Sequence, residues 1–105
     1  MRMMLKAVVA TEAGNEALRN GSMAKAIEQM MQQLKPEAAY FVGSDDGRRS
    51  CVVVFDMADS SQIPVISEPL FRTGRAQVTL TPCMNLDDLQ SGLSQVPADT
   101  TPTGT

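Results

Sequence analysis

Lys6 stands inside an apolar run, Met3-Met4-Leu5-Lys6-Ala7-Val8-Val9, and Gln77, Thr79 and Thr81 alternate with Ala76, Val78 and Leu80 later in the chain. An ammonium taken out of water needs acceptors or a counter-anion. If folding brings these four polar side chains together, they form a place for a small anionic molecule, with Met4 and Tyr40 as its apolar and amphipathic walls. Glu68 is the other residue with chemistry in reach. Its neighbours Ile66, Leu70 and Phe71 are apolar, and a carboxylate in such surroundings can act as a general base. The alternative places Glu68 on the outer side of a helix kinked at Pro69, solvated or paired with an arginine. Arg48 and Arg49 follow a turn and serve either to recognise an anion or to protect a sheet edge. Cys51 has no histidine to activate it, so nucleophilic catalysis is not expected.

Several function classes are excluded by what is missing. The 105 residues contain no histidine, which removes the commonest neutral-pH acid–base and the commonest transition-metal ligand. Cys51 and Cys83 lie far apart with no Cys-x-x-Cys spacing, so no zinc site is expected. Asp45 and Asp46 precede Gly47 and are explained by a turn. No metal, haem, flavin or nucleotide is therefore expected as a cofactor. A net charge of −3 with nine scattered basic residues draws the chain neither to nucleic acid nor to anionic lipid. The strand that would carry RNA-stacking aromatics offers Phe55 alone. Gly14 and Gly21 lack the spacing of a phosphate cradle. The apolar start is interrupted by Lys6 and is too short for a signal peptide, and no stretch reaches membrane-spanning length. Two reduced cysteines fit a cytoplasmic protein.

The elements that must position these residues follow from periodicity. Strands are expected over 3–9, 39–43, 51–57 and 77–81. The clearest helix runs over 22–34, where Met23, Ala26, Ile27, Met30, Met31 and Leu34 make one continuous apolar stripe. Ser22 is its expected N-cap and Pro36 its stop. The stripe accounts for Met23, Met30 and Met31 as core filler, although methionines also suit an adaptable pocket wall. Residues 11–15 read as a loop, with a short turn at 16–19. Asp45-Asp46-Gly47 supplies a tight hairpin turn. A second helix over 61–71 is expected to kink or break near Glu68, because Pro69 cannot sit in a helix interior without loss. Asn85-Leu86-Asp87-Asp88-Leu89 opens a short third helix with Asn85 as N-cap and Leu86, Leu89 and Leu93 on one side. Residues 1–95 form one domain and 96–105 a disordered tail.

The order strand, helix, hairpin, helix, strand is the split β-α-β-β-α-β, ferredoxin-like motif of an α+β protein, with a four-stranded antiparallel sheet. Both helices then cover one face of that sheet. Met3, Leu5, Ala7 and Val9 with Ala76, Val78 and Leu80 belong to the covered face. Met4, Lys6 and Val8 with Gln77, Thr79 and Thr81 belong to the open one. The run Val52-Val53-Val54-Phe55 reads as a strand buried on both faces. An open face exposing ~350 Å² of apolar surface is at the limit monomers tolerate, so a homodimer through that face is expected.

Lys35-Pro36-Glu37-Ala38-Ala39-Tyr40-Phe41, Gly47-Arg48-Arg49, Ile63-Pro64, Ser67-Glu68-Pro69-Leu70-Phe71 and the segment from Leu80 to Leu89 together resemble a family of small bacterial proteins without assigned activity. That family is similar to the dimeric α+β barrel superfamily, which includes stress-responsive barrel proteins, muconolactone isomerases and antibiotic-biosynthesis monooxygenases. The resemblance covers residues 3–93. It implies two sheets closing into a shared barrel across a two-fold axis, often with a pocket inside. The superfamily's catalytic histidines and haem ligands have no counterpart here. The expected function is thus a homodimeric barrel that binds a small organic molecule. The alternatives are a cofactor-independent isomerase or monooxygenase-like enzyme assisted by Glu68 or Lys6, and a structural or regulatory interaction module with a filled barrel.

Overall fold

A computed structural model of the chain describes residues 1–98. In chain order it contains β1 (Arg2–Val8), α1 (Thr11–Arg19), α2 (Ser22–Leu34), β2 (Ala38–Gly43), β3 (Arg49–Asp56), α3 (Gln62–Gly74), β4 (Gln77–Pro82) and α4 (Leu86–Ser94). The four strands form one open antiparallel sheet in the order β2-β3-β1-β4, so β3 and β4 both flank β1. This is an α+β fold with four helices.

Strand alternation decides which side chains meet the helices. Met3, Leu5 and Ala7 of β1 and Cys51, Val53 and Phe55 of β3 are buried, and Met30 of α2 and Ile66 of α3 pack on them with Met57 and Ala76. Leu5, Val53 and Phe55 are the largest fully buried side chains. Each such residue stabilises the fold by roughly 1.5–3 kcal/mol relative to exposure. Met31, Leu34 and Leu70 close the rim of this core.

Three local expectations need correction. Residues 11–15 are helical, not a loop: α1 runs from Thr11 and packs against α2 and α3. Gly14 is a poor helix former, yet it is buried and lets α1 approach closely. A Cβ at Gly14 would lie 2.7 Å from Arg49 Nη1 and 3.0 Å from Val9 Cγ1. The turn between α1 and α2 is made by Gly21 in the left-handed region (φ 78°), which takes the N-cap place expected for Ser22. Asn20 Oδ1 instead accepts from the Ser22 amide at 2.9 Å. Finally, α3 runs through Pro69 to Gly74 with no break near Glu68. Val65, whose carbonyl loses its amide partner at Pro69, is exposed, as is Pro69, so that carbonyl can be hydrated. Gly74 is buried against Val9, where a Cβ would come within 3.0 Å of Cγ1.

The hairpin turn holds as a sequence feature: Gly47 takes φ 81°, and its amide donates to the Ser44 carbonyl at 2.9 Å. At the other end, Asn85 and Asp88 form a reciprocal capping box that starts α4. Val96 is exposed; most of the expected tail, residues 99–105, lies outside the described residues.

Candidate functional site

The open side of the sheet gathers the polar set that the sequence singles out. In β1–β4 pairing Lys6 lies opposite Thr79, Met4 opposite Thr81 and Val8 opposite Gln77. Across β3, Lys6 lies opposite Val52, which in turn lies opposite Tyr40. Partners in an antiparallel pair share a face, so Tyr40, Val52, Lys6 and Thr79 form one row. Ala38, Val54, Met4 and Thr81 form the next. All six expected ligand-binding residues (Lys6, Met4, Tyr40, Gln77, Thr79 and Thr81) are therefore on the face that carries no helix. Each of them is exposed, so within one chain they make a platform and not a cavity. Among the described residues Lys6 has no carboxylate partner within ion-pair distance.

A third row, Val42, Ser50, Val8 and Gln77, contains a residue that sequence reasoning missed. Ser50 is buried and its Oγ finds no hydrogen-bond partner among the described residues. Leaving a buried hydroxyl unsatisfied costs on the order of 1–3 kcal/mol. Its only sequence signal is a hydroxyl standing at the head of the apolar run Cys51-Val52-Val53-Val54-Phe55.

Glu68 is not part of this platform. It is exposed on α3, and α3 packs on the opposite side of the sheet through Ile66. The sheet therefore separates Glu68 from Lys6. The helical period explains the placement: Ile66 and Leu70 take the inner side of α3, leaving Glu68 outside.

A second concavity lies under the helices, where the methionines of α2 read from sequence as core filler, with a pocket wall as the alternative. It is an almost wholly apolar cavity of about 90 Å³, lined by Val9, Met23, Ile27, Met30, Phe41 and Leu70, with Arg49 at its edge. It exists because Ala7, Ala26, Gly74 and Ala76, all small, line it as well. Phe41 sits at the edge strand β2 and stays exposed. Arg49 Nη2 donates to Asn15 Oδ1 at 2.9 Å. Cys51 lies against this cavity, and burial pushes its thiol pKa up, opposed in part by a backbone hydrogen bond with Ala7. A neutral thiol is a poor nucleophile. Cys51 and Cys83 are both free.

Two arginines tie the structure together through carboxylates. Arg2 bridges Glu37, at 2.6 Å, and Asp88. Arg48 Nε donates to Asp46 Oδ2 at 2.8 Å, and the Ser44 hydroxyl donates to the other oxygen. Among the described residues no group of three or more His, Cys, Asp or Glu side chains is placed to hold a metal ion, and no helix is long and apolar enough to cross a membrane. No family model matches the chain, and no curated protein matches it.

Proposed function

We propose that the protein is a homodimeric, ferredoxin-like α+β barrel that binds a small organic anion between the open faces of two sheets. The observation that carries this reading is Lys6: a cation without a carboxylate partner among the described residues, in one row with Tyr40, Val52 and Thr79. Stacked on a second copy, that row becomes an interior lined by two ammonium groups, one Lys6 from each copy, with several hydroxyl and amide groups and apolar walls. A buried ammonium in such a place is stabilised by an anion. The flanking of β1 by β3 and β4 supports the ferredoxin-like arrangement, and the half-buried Val52 and Val54 support the pairing of faces. Free cysteines fit a reducing compartment such as the cytoplasm. An enzyme using Glu68 as base is not proposed, because Glu68 and Lys6 lie on opposite sides of the sheet.

The test is Lys6→Met, read by light scattering and by thermal shift against a library of small carboxylates and phosphates. Binding to the folded state stabilises it by RT ln(1 + L/Kd), where L is the free ligand concentration. The expected outcome is an intact dimer that no longer gains stability from the anions that stabilise the unsubstituted protein. Unchanged anion stabilisation in Lys6→Met refutes the site.

A further inference from the structure

We infer that α4 is an arm that seats on a second copy of this chain and widens the sheet-face interface. The inference rests on the homodimer proposed above. Three observations lead to it. First, α4 is built as an amphipathic helix, and among the described residues nothing covers its apolar side. Leu86, Leu89 and Leu93 are 67%, 40% and 59% exposed, Val96 continues the same stripe and is exposed, and no α4 residue is buried. Second, α4 has nine residues and contains Gly92. Isolated helices shorter than about 12–15 residues are marginal in water, and a glycine weakens one further by about 1 kcal/mol. The capping box starts the helix, but a surface must hold it.

Third, the root of α4 is pinned on the side where the second copy would lie. Arg2 shares the open-face alternation with Met4 and Lys6, and it holds Asp88 in the first turn of α4 while also pairing with Glu37. The helix is about 13 Å long at its rise per residue, and stacked sheets lie ~10 Å apart. An arm leaving from Arg2 can therefore span the gap to a partner stacked on the open face.

Area favours a second copy as the occupant. Tyr40, Val42 and Met4, with the half-buried valines, give the sheet face on the order of 350 Å² of apolar surface. A standard stable interface buries ~800 Å² per partner, of which about 57%, roughly 450 Å², is apolar. The sheet face alone falls short of that apolar area, and the stripe of α4, which raises the total to about 750 Å² per chain, more than makes up the difference.

The experiment uses the full chain carrying Leu89→Ser with Leu93→Ser, two positions exposed within one chain, so that the domain itself is left intact. Sedimentation gives the dimer dissociation constant, and amide exchange of residues 86–94 is followed above and below it. A Val52→Asp chain, altered on the sheet face alone, is measured beside it. The expected result is a dimer weakened at least about a hundredfold by the two serines, and slow exchange in α4 only at concentrations where the dimer forms. Dimerisation unchanged by the serines but lost in Val52→Asp overturns the arm and leaves the sheet-face reading standing. Dimerisation lost with the serines but unchanged in Val52→Asp shows α4 joining two copies without the sheet face, which overturns both the sheet-face reading and the widened interface. Protection of α4 that does not depend on concentration shows the helix docking on its own chain and overturns the arm. A monomer throughout overturns both.

Discussion

Val52 and Val53 are neighbours on β3 with opposite surroundings, and truncating each to alanine measures the two faces of the sheet separately. Val53 is 0% exposed, paired with Leu5 on one side and Ala39 on the other. Its two lost methyl groups remove ~1.6 kcal/mol of transfer free energy, and a residual cavity of ~40 Å³ adds ~1 kcal/mol. Val53→Ala is therefore expected to destabilise by about 2.5 kcal/mol at any protein concentration, a fall of some 10–20 °C in Tm for a domain of this size. Val52 is only half-buried and leaves no enclosed void, so within one chain Val52→Ala costs about 0.5–1 kcal/mol. If two open faces pack together, Val52 becomes buried as well. Its cost then rises toward that of Val53, but only where the dimer is populated. Urea unfolding followed by circular dichroism at about 1 µM and about 100 µM separates the cases, since a hundredfold rise in partner concentration shifts apparent stability by about 2.7 kcal/mol. A Val53→Ala cost below about 1 kcal/mol would refute the register and the core. Equal, concentration-independent costs for Val52→Ala would refute pairing through this face.

Two further predictions concern titration. The Ser44 hydroxyl first, and the Arg48 guanidinium second, hold the Asp46 carboxyl at about 2, below its ordinary 3.8. Its contribution to stability is therefore fully present above 3.8 and lost as pH falls through about 2. An NMR titration should place its midpoint there, and Ser44→Ala should raise it; a midpoint at the ordinary aspartate value contradicts the hairpin geometry. Burial raises the Cys51 thiol, so its stabilising neutral form persists through neutral pH and its contribution declines as pH climbs past the unfolded value of 9.0. In the native protein a thiol reagent should label the half-buried Cys83 first and Cys51 only on unfolding; equal rates would show that β3 is not held in the core.

Much of the fold was legible because local signals and burial point the same way. The methionine-rich stripe of α2, the strict alternation of β4, the Gly47 turn and the Asn85 cap each carry their own period or backbone requirement, and each was placed where expected. So was the common face of Lys6, Thr79, Thr81 and Gln77, which needs only strand alternation and the adjacency of β1 and β4. Other features depended on contacts between distant residues. In α1, Gly14 and Asn15 interrupt a segment whose other residues favour a helix, and the need for a glycine there shows only in its close approach to Val9 and Arg49. Pro69 reads as a breaker, yet α3 passes through it because the exposed side of the helix meets water and the inner side is anchored by Ile66 and Leu70. The apolar cavity beside Phe41 arises from small residues contributed by several elements, and no single segment encodes it. The sequence by itself determined the strands, the presence of α2, α3 and α4, their order and the polar row on the sheet, but not α1. Tertiary structure alone decided that Glu68 faces away from Lys6, that Ser50 is left without a partner, and that the leucines of α4 lie uncovered, because burial is a property of packed surfaces and not of the segment that carries the residue.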